Sequence, residues 1–232
     1  MNRKLKRQQE KLARKKGGQP TQDIGTLLNL AGQSFNSGQF ASAAQALEKV
    51  LKINPDHFDA VNALAIAYAN LGRPEKALPY FEKTTLLKPG DANTHYNYGR
   101  ACEEQGNHDG AIESYRRSVE IDPQNAAGWL NLGNLVLSDG NDAAAEDCYL
   151  RALDIDANIA VAHNNLGNLY NRQRRYPEAI ERYEQTLALI PVFPETQANL
   201  AGAYAEIGEF EKSEEIYRKA LEQSPDDAAL HY

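Results

Sequence analysis

The sequence predicts an all-α chain folded as a stack of six helix-turn-helix units, and three observations carry that reading. Pro55, Pro89, Pro123, Pro191 and Pro225 lie on one register of 34 residues, with Ala157 in the remaining place. A phrase close to L-G-x-x-x-x-x-x-G, followed by A-x-x-x-Y-x-x-A/S, recurs on the same register. Within each period, apolar residues return at helical spacing in two runs, separated by a turn that is glycine-centred in all but one copy. A fixed period of this length marks stacked units, each burying its apolar face only against its neighbours.

Residues 1–23 precede the stack as a basic arm and linker. Met1 to Lys16 holds eight Lys/Arg against one Glu, a net of +7 on a chain whose total is −7, so a basic arm leads into an acidic body. Between residues 3 and 16 only Leu5, Leu12 and Ala13 are apolar, too few for a core-facing stripe. The arm reads as a solvated tail, with contact to anionic lipid, RNA or an acidic partner as its alternative. GGQPTQ, residues 17–22, reads as a flexible link.

The six units run 24–57, 58–91, 92–125, 126–159, 160–193 and 194–227. In the third, Tyr98, Gly99 and Cys102 line one face of the first helix, Gly106 makes the turn, and Ala111, Tyr115 and Ser118 line the second helix, which Pro123 ends. The Gly and Ala positions let the two helices approach closely while the aromatic fills the gap between them. Departures are local. Ala157 replaces the terminal proline of the fourth unit, Arg174 the turn glycine of the fifth, and Ser213 takes the small-residue position of the sixth. Pro74 and Pro177 stand where a second helix begins and tolerates the missing N–H. Pro79 lies deeper, where it is expected to kink or weaken its helix. Residues 228–232 match the opening of the third unit and read as the first turn of a truncated seventh. On that reading Ile216, Tyr217 and Leu221 belong to an uncapped end surface, a place for self-association.

These units resemble the tetratricopeptide repeat family. The fourth is the clearest copy, with Trp129, Leu132, Gly133, Gly140, Ala145, Tyr149 and Ala152 at the family's signature positions. The resemblance implies a right-handed superhelical solenoid of six tetratricopeptide repeats, with first helices on the concave surface. It implies a general peptide- and protein-binding scaffold and no particular activity.

Composition excludes several classes. The 232 residues are 42% hydrophobic and 25% charged, ordinary for a soluble globular chain, and no stretch approaches the ~20 apolar residues of a membrane span. Cytoplasmic residence is the expectation. Cys102 and Cys148 share no metal or redox spacing and read as packing residues. His95, His163 and His231 repeat one position in different units and so spread along the stack rather than converging on a metal. There is no phosphate loop and no nucleophile elbow, so no catalytic residue, cofactor or small-molecule substrate is expected.

The binding chemistry is read from the first helices. Asn29, Asn97, Asn131, Asn165 and Asn199 share one position, with Ala63 the exception. An amide carries both an acceptor and two donors, so a row of amides pairs with an extended peptide backbone whatever its side chains. Asn134, Asn164, Asn168 and Asn171 add amides on or beside that face, Tyr96 and Leu130 add apolar contacts, and Arg100 and Arg172 face nearby carboxylates. The alternative is that the row ties one repeat to the next. The row is similar, in that one feature, to the asparagine ladder in the repeat arm of the O-linked N-acetylglucosamine transferases. The carboxylate clamp of chaperone-binding repeats is not matched: Leu28, Asn62, Asn93, Tyr96 and Val161 stand where it needs Lys or Arg.

The functional expectation is therefore a non-catalytic scaffold or adaptor that binds a protein or peptide in its concave groove. Two other readings stand beside it: a substrate-recruiting arm of a larger enzyme such as a glycosyltransferase, and a self-assembling scaffold that docks on an anionic surface through its basic arm.

Overall fold

The computed structural model describes residues 23–223, so the basic arm and the start of a seventh repeat lie outside the described residues. The described residues form twelve helices and no strand: α1 (Ile24–Asn36), α2 (Phe40–Ile53), α3 (Phe58–Asn70), α4 (Pro74–Leu87), α5 (Ala92–Glu104), α6 (His108–Ile121), α7 (Ala126–Ser138), α8 (Asp142–Ile155), α9 (Ala160–Arg172), α10 (Tyr176–Leu189), α11 (Pro194–Glu206) and α12 (Phe210–Gln223). They pair as six helix-turn-helix repeats. The chain divides after Leu87 into two compact units, the first holding α1–α4 and the second α5–α12. Within each unit every helix packs on the next in sequence.

The turns follow from backbone sterics. Gly38, Gly72, Gly106, Gly140 and Gly208 sit between first and second helices at φ between 64° and 86°, a region that costs other L-residues about 1 kcal/mol or more. Arg174 occupies the same place at φ 60°, the one non-glycine there among the described residues. Side chains cap many of the starts: Asn107, Asn125 and Asn141 accept from the backbone N–H three residues on, at 3.1, 3.0 and 3.2 Å. Second helices end two residues before the register prolines, as at Ile53, Leu87, Ile121 and Leu189. Ile155 ends α8 at the same place although Ala157 follows, so the stop does not depend on the proline. Helix α4 runs unbroken through Pro79, which stands exposed on its surface.

Each pair closes on small residues. Ala43, Ala77, Ala111, Ala145 and Ala179 are at most 1% exposed, and Ser213 takes the equivalent position in the last repeat. In the third, fourth and fifth repeats the first helix contributes Gly99, Gly133 and Gly167, and the second lays Tyr115, Tyr149 and Tyr183 against them. A Cβ built on these glycines would fall 2.6 to 2.9 Å from the tyrosine ring. Hydrogen, the only substituent that fits, is therefore demanded by the ring. Cys102 and Cys148 are buried, on a first and a second helix respectively.

Candidate functional site: an amide ladder in the second unit

Tyrosines buried between the helices emerge with their hydroxyls at the surface of the first helices, and the asparagines meet them there. Tyr149 donates to Asn134 Oδ1 at 2.9 Å, and Asn165 Nδ2 of the next repeat donates to the same oxygen at 2.8 Å. One repeat on, Tyr183 donates to Asn168 Oδ1 at 2.8 Å and Asn199 Nδ2 donates to it at 3.0 Å. Two acceptor lone pairs on each oxygen are thus used, which fixes the amide orientation. The third repeat has Arg100 in place of that acceptor, so Tyr115 turns to Glu103 at 2.8 Å and Asn131 Nδ2 reaches Tyr96 Oη at 3.4 Å. Burial is the first cause, and the Glu103 bond the second, that drives the Tyr115 phenol far above its ordinary pKa. Burial pushes Tyr149 up to about 12.

The twelve residues singled out from sequence all fall in the second unit, and they divide by role. Asn131, Asn134, Asn165, Asn168 and Asn199 are half-buried and form the ladder. Asn97, Asn171 and Leu130 are half-buried on first helices, and neither of these two asparagines has a side-chain hydrogen bond among the described residues. Tyr96 is half-buried, its ring 5.7 Å from that of Tyr115. Asn164 is buried between repeats, its Oδ1 accepting from Thr196 at 2.7 Å. Arg100 is exposed and pairs with Glu104 at 3.7 Å, while Arg172 pairs with Asp142 on α8. Asn29, in the first unit, is exposed.

The linking alternative is realised in this geometry: one amide function of each pair joins neighbouring repeats. The other function is spare. Asn134 and Asn168 keep Nδ2, and Asn165 and Asn199 keep Oδ1, with no protein partner among the described residues. Sequence reasoning missed the tyrosines' part in this row. The signal was present in the coincidence of Gly133 with Tyr149 and Gly167 with Tyr183.

Profiles of the tetratricopeptide repeat match residues 35–92, 63–126, 124–191 and 170–232. The chain belongs to the tetratricopeptide repeat family. Solved structures agree in fold. YrrB, described as a tetratricopeptide repeat protein with an unusual peptide-binding site, superposes with a TM-score of 0.71 at 20% identity, covering 81% of this chain and 97% of that one. PilF of Pseudomonas aeruginosa gives 0.73 at 18% identity, covering 90% and 95%. MamA gives 0.67 at 23%, covering 70% and 95%. In sequence, 62 residues are 39% identical to the CTR9 homolog of Arabidopsis thaliana; they are 27% of this chain and 6% of that protein.

A second set of contacts joins successive repeats of this tetratricopeptide array. At one position of the first helix, His95, Trp129 and His163 each bring a ring nitrogen to the carbonyl six residues earlier, on Pro89, Pro123 and Ala157, at 3.0, 3.0 and 3.1 Å. The histidines thus act as structural hydrogen-bonding groups. Burial holds His163 below the ordinary imidazole pKa. No helix among the described residues is long and apolar enough to cross a membrane.

Proposed function

We propose that the second unit holds an extended segment of a partner protein along the amide ladder, making the chain a non-catalytic interaction scaffold. The observation that carries this is the orientation of the ladder amides. Their internal bonds commit the oxygens of Asn134 and Asn168 and the nitrogens of Asn165 and Asn199. What remains is an ordered row of donors and acceptors held by buried tyrosines. Such a row pairs with main-chain N–H and C=O groups and gives affinity without demanding a side-chain sequence. Neighbouring first helices about 8–10 Å apart match roughly three residues of extended peptide, at about 3.3 Å each. The description of YrrB as peptide-binding supports the class of ligand. Preformed geometry lowers the ordering cost of the scaffold, and the peptide's own ordering sets an affinity on the order of micromolar.

Peptides selected on the full chain from a random display library provide the test. Changing Asn131, Asn165 and Asn199 together to Ala should weaken the selected peptides at least tenfold while helical content persists. Because these residues also link repeats, Asn97→Ala with Asn171→Ala is the companion variant. It should weaken binding severalfold with an unchanged melt. Peptides that bind both variants as they bind the parent would overturn the reading.

A further inference from the structure

The boundary between the third and fourth repeats lacks a ring that three of its four counterparts carry. In the second, fifth and sixth repeats, one position of the first helix holds Tyr68, Tyr170 and Tyr204, and each hydroxyl donates to a glutamate on the preceding repeat's second helix. The partners are Glu48, Glu146 at 3.0 Å and Glu184 at 2.7 Å. The fourth repeat has Val136 at that position, and Arg116 stands on the register of Glu48 and Glu184. Both the ring and its acceptor are missing. A half-open cavity of about 320 Å³ remains, its lining mainly Val119, Trp129, Leu132, Val136, Ala144 and Cys148. An apolar cavity of ~150 Å³ already takes benzene, and ligand pockets begin near ~300 Å³.

The lining selects the occupant. Carbon surface and one indole make most of the wall, and the charged residues that also line it, Arg116, Glu120 and Asp147, are paired within the chain. Arg116 meets Glu113 at 3.4 Å, Arg117 meets Glu120 at 3.1 Å, and Asp147 meets Arg151 at 2.8 Å. The Arg151 guanidinium also lies 5.0 Å from the centre of the Trp129 ring. A charged guest would have to break one of these pairs, whereas a neutral ring gains apolar burial and an aromatic neighbour. Cys148 offers no covalent capture, since burial first and the nearby Asp147 second push its thiol up to about 11. No ladder asparagine lines the cavity, so this site is separate from the peptide row.

We propose that this cavity is a receptor site for one neutral aromatic side chain, phenylalanine or tyrosine, of a partner protein, seated at the place on the repeat that Tyr68, Tyr170 and Tyr204 fill in theirs. Trp129 is the chain's single tryptophan and forms a wall of the cavity, so its emission reports occupancy directly. Titration of the full chain with p-cresol, with toluene and with N-acetyl-phenylalanine amide should give a saturable change in that emission. Val136→Tyr restores the filling ring from within and should weaken all three probes at least tenfold. Ala144→Leu, closing the same space from α8, should do likewise and replaces Val136→Tyr if that variant loses its cooperative melt. Asn165→Ala should leave the titration unchanged, which separates this site from the ladder. An emission change that is linear in probe, or saturable binding of equal strength in a folded cavity-filled variant, would overturn the proposal.

Discussion

The first unit and the middle of the second close the same helix pair in different ways. In the first unit the same two positions are held by Ala31 and Leu47 in the first repeat and by Ala65 and Phe81 in the second; all four are buried. In the second unit the corresponding pairs are Gly99 with Tyr115, Gly133 with Tyr149 and Gly167 with Tyr183. Removing a methyl from the first helix makes room for a longer ring on the second. That ring carries a hydroxyl out to the first-helix surface, where Asn134 and Asn168 accept it and then fix the asparagine of the next repeat. Leu47 and Phe81 have no hydroxyl to deliver, and Gly32 and Ile66 stand where the accepting asparagine would be. The ladder is thus the surface expression of a packing choice in the core. The last repeat marks its limit, with Ala201 beside a half-buried Tyr217 and Gly202 in place of the acceptor.

The most damaging way to test that contrast is to exchange the small residues. Gly167→Ala places a Cβ 2.6 Å from the Tyr183 ring and should destabilise the chain by about 2 kcal/mol, the scale of core overpacking. Ala65→Gly in the first unit leaves the packing unstrained and should cost about 1–2 kcal/mol, the helix-propensity difference plus one buried methyl. Chemical denaturation checks the cause: Tyr183→Leu should recover part of the Gly167→Ala loss, and no recovery would show that the ring does not demand the glycine.

Alkaline titration sharpens the comparison further. Tyr149 and Tyr68 both titrate near 12 in the folded chain against an ordinary 10, but for different reasons: burial leads for Tyr149, the hydrogen bond to Glu48 for Tyr68. A raised phenol pKa means that folding favours the protonated ring. Its contribution is therefore complete below pH 10 and is lost as pH rises through about 12. Phenolate absorbance should accordingly show Glu48→Gln lowering the midpoint of Tyr68 while that of Tyr149 stays in place.

The smallest effect concerns the turn in the fifth repeat. Arg174 holds φ 60° where other repeats use glycine, so Arg174→Gly should stabilise the chain by up to about 1 kcal/mol, read as a higher melting temperature. A lower melting temperature would mean that the arginine side chain contributes more than its backbone strain costs.

Much of the architecture was legible because it rests on local rules repeated many times. The 34-residue register, the turn glycines and the small residues at Ala111, Ala145 and Ala179 each reappear as helix ends, positive φ and zero or near-zero exposure. Pro79 lies inside α4, which continues through it with that residue exposed, so the missing N–H does not end the helix. For the site, the row of asparagines was visible, but the division of labour inside it was not. Asn164 and Asn165 are adjacent in sequence, yet one is buried against Thr196 and the other is half-buried in the ladder. A helical rotation of about 100° per residue separates them, and only the neighbouring repeat decides which face is covered.

By itself the sequence determined the repeat, its period and its helix boundaries, because capping, glycine turns and helical periodicity act over a few residues. Tertiary structure alone decided which amide atoms are spent and which are spare, since those bonds join residues 15 and 31 positions apart. It also decided that Val136 leaves a cavity, because a missing ring becomes a void only when the surrounding helices are too well packed to collapse into it.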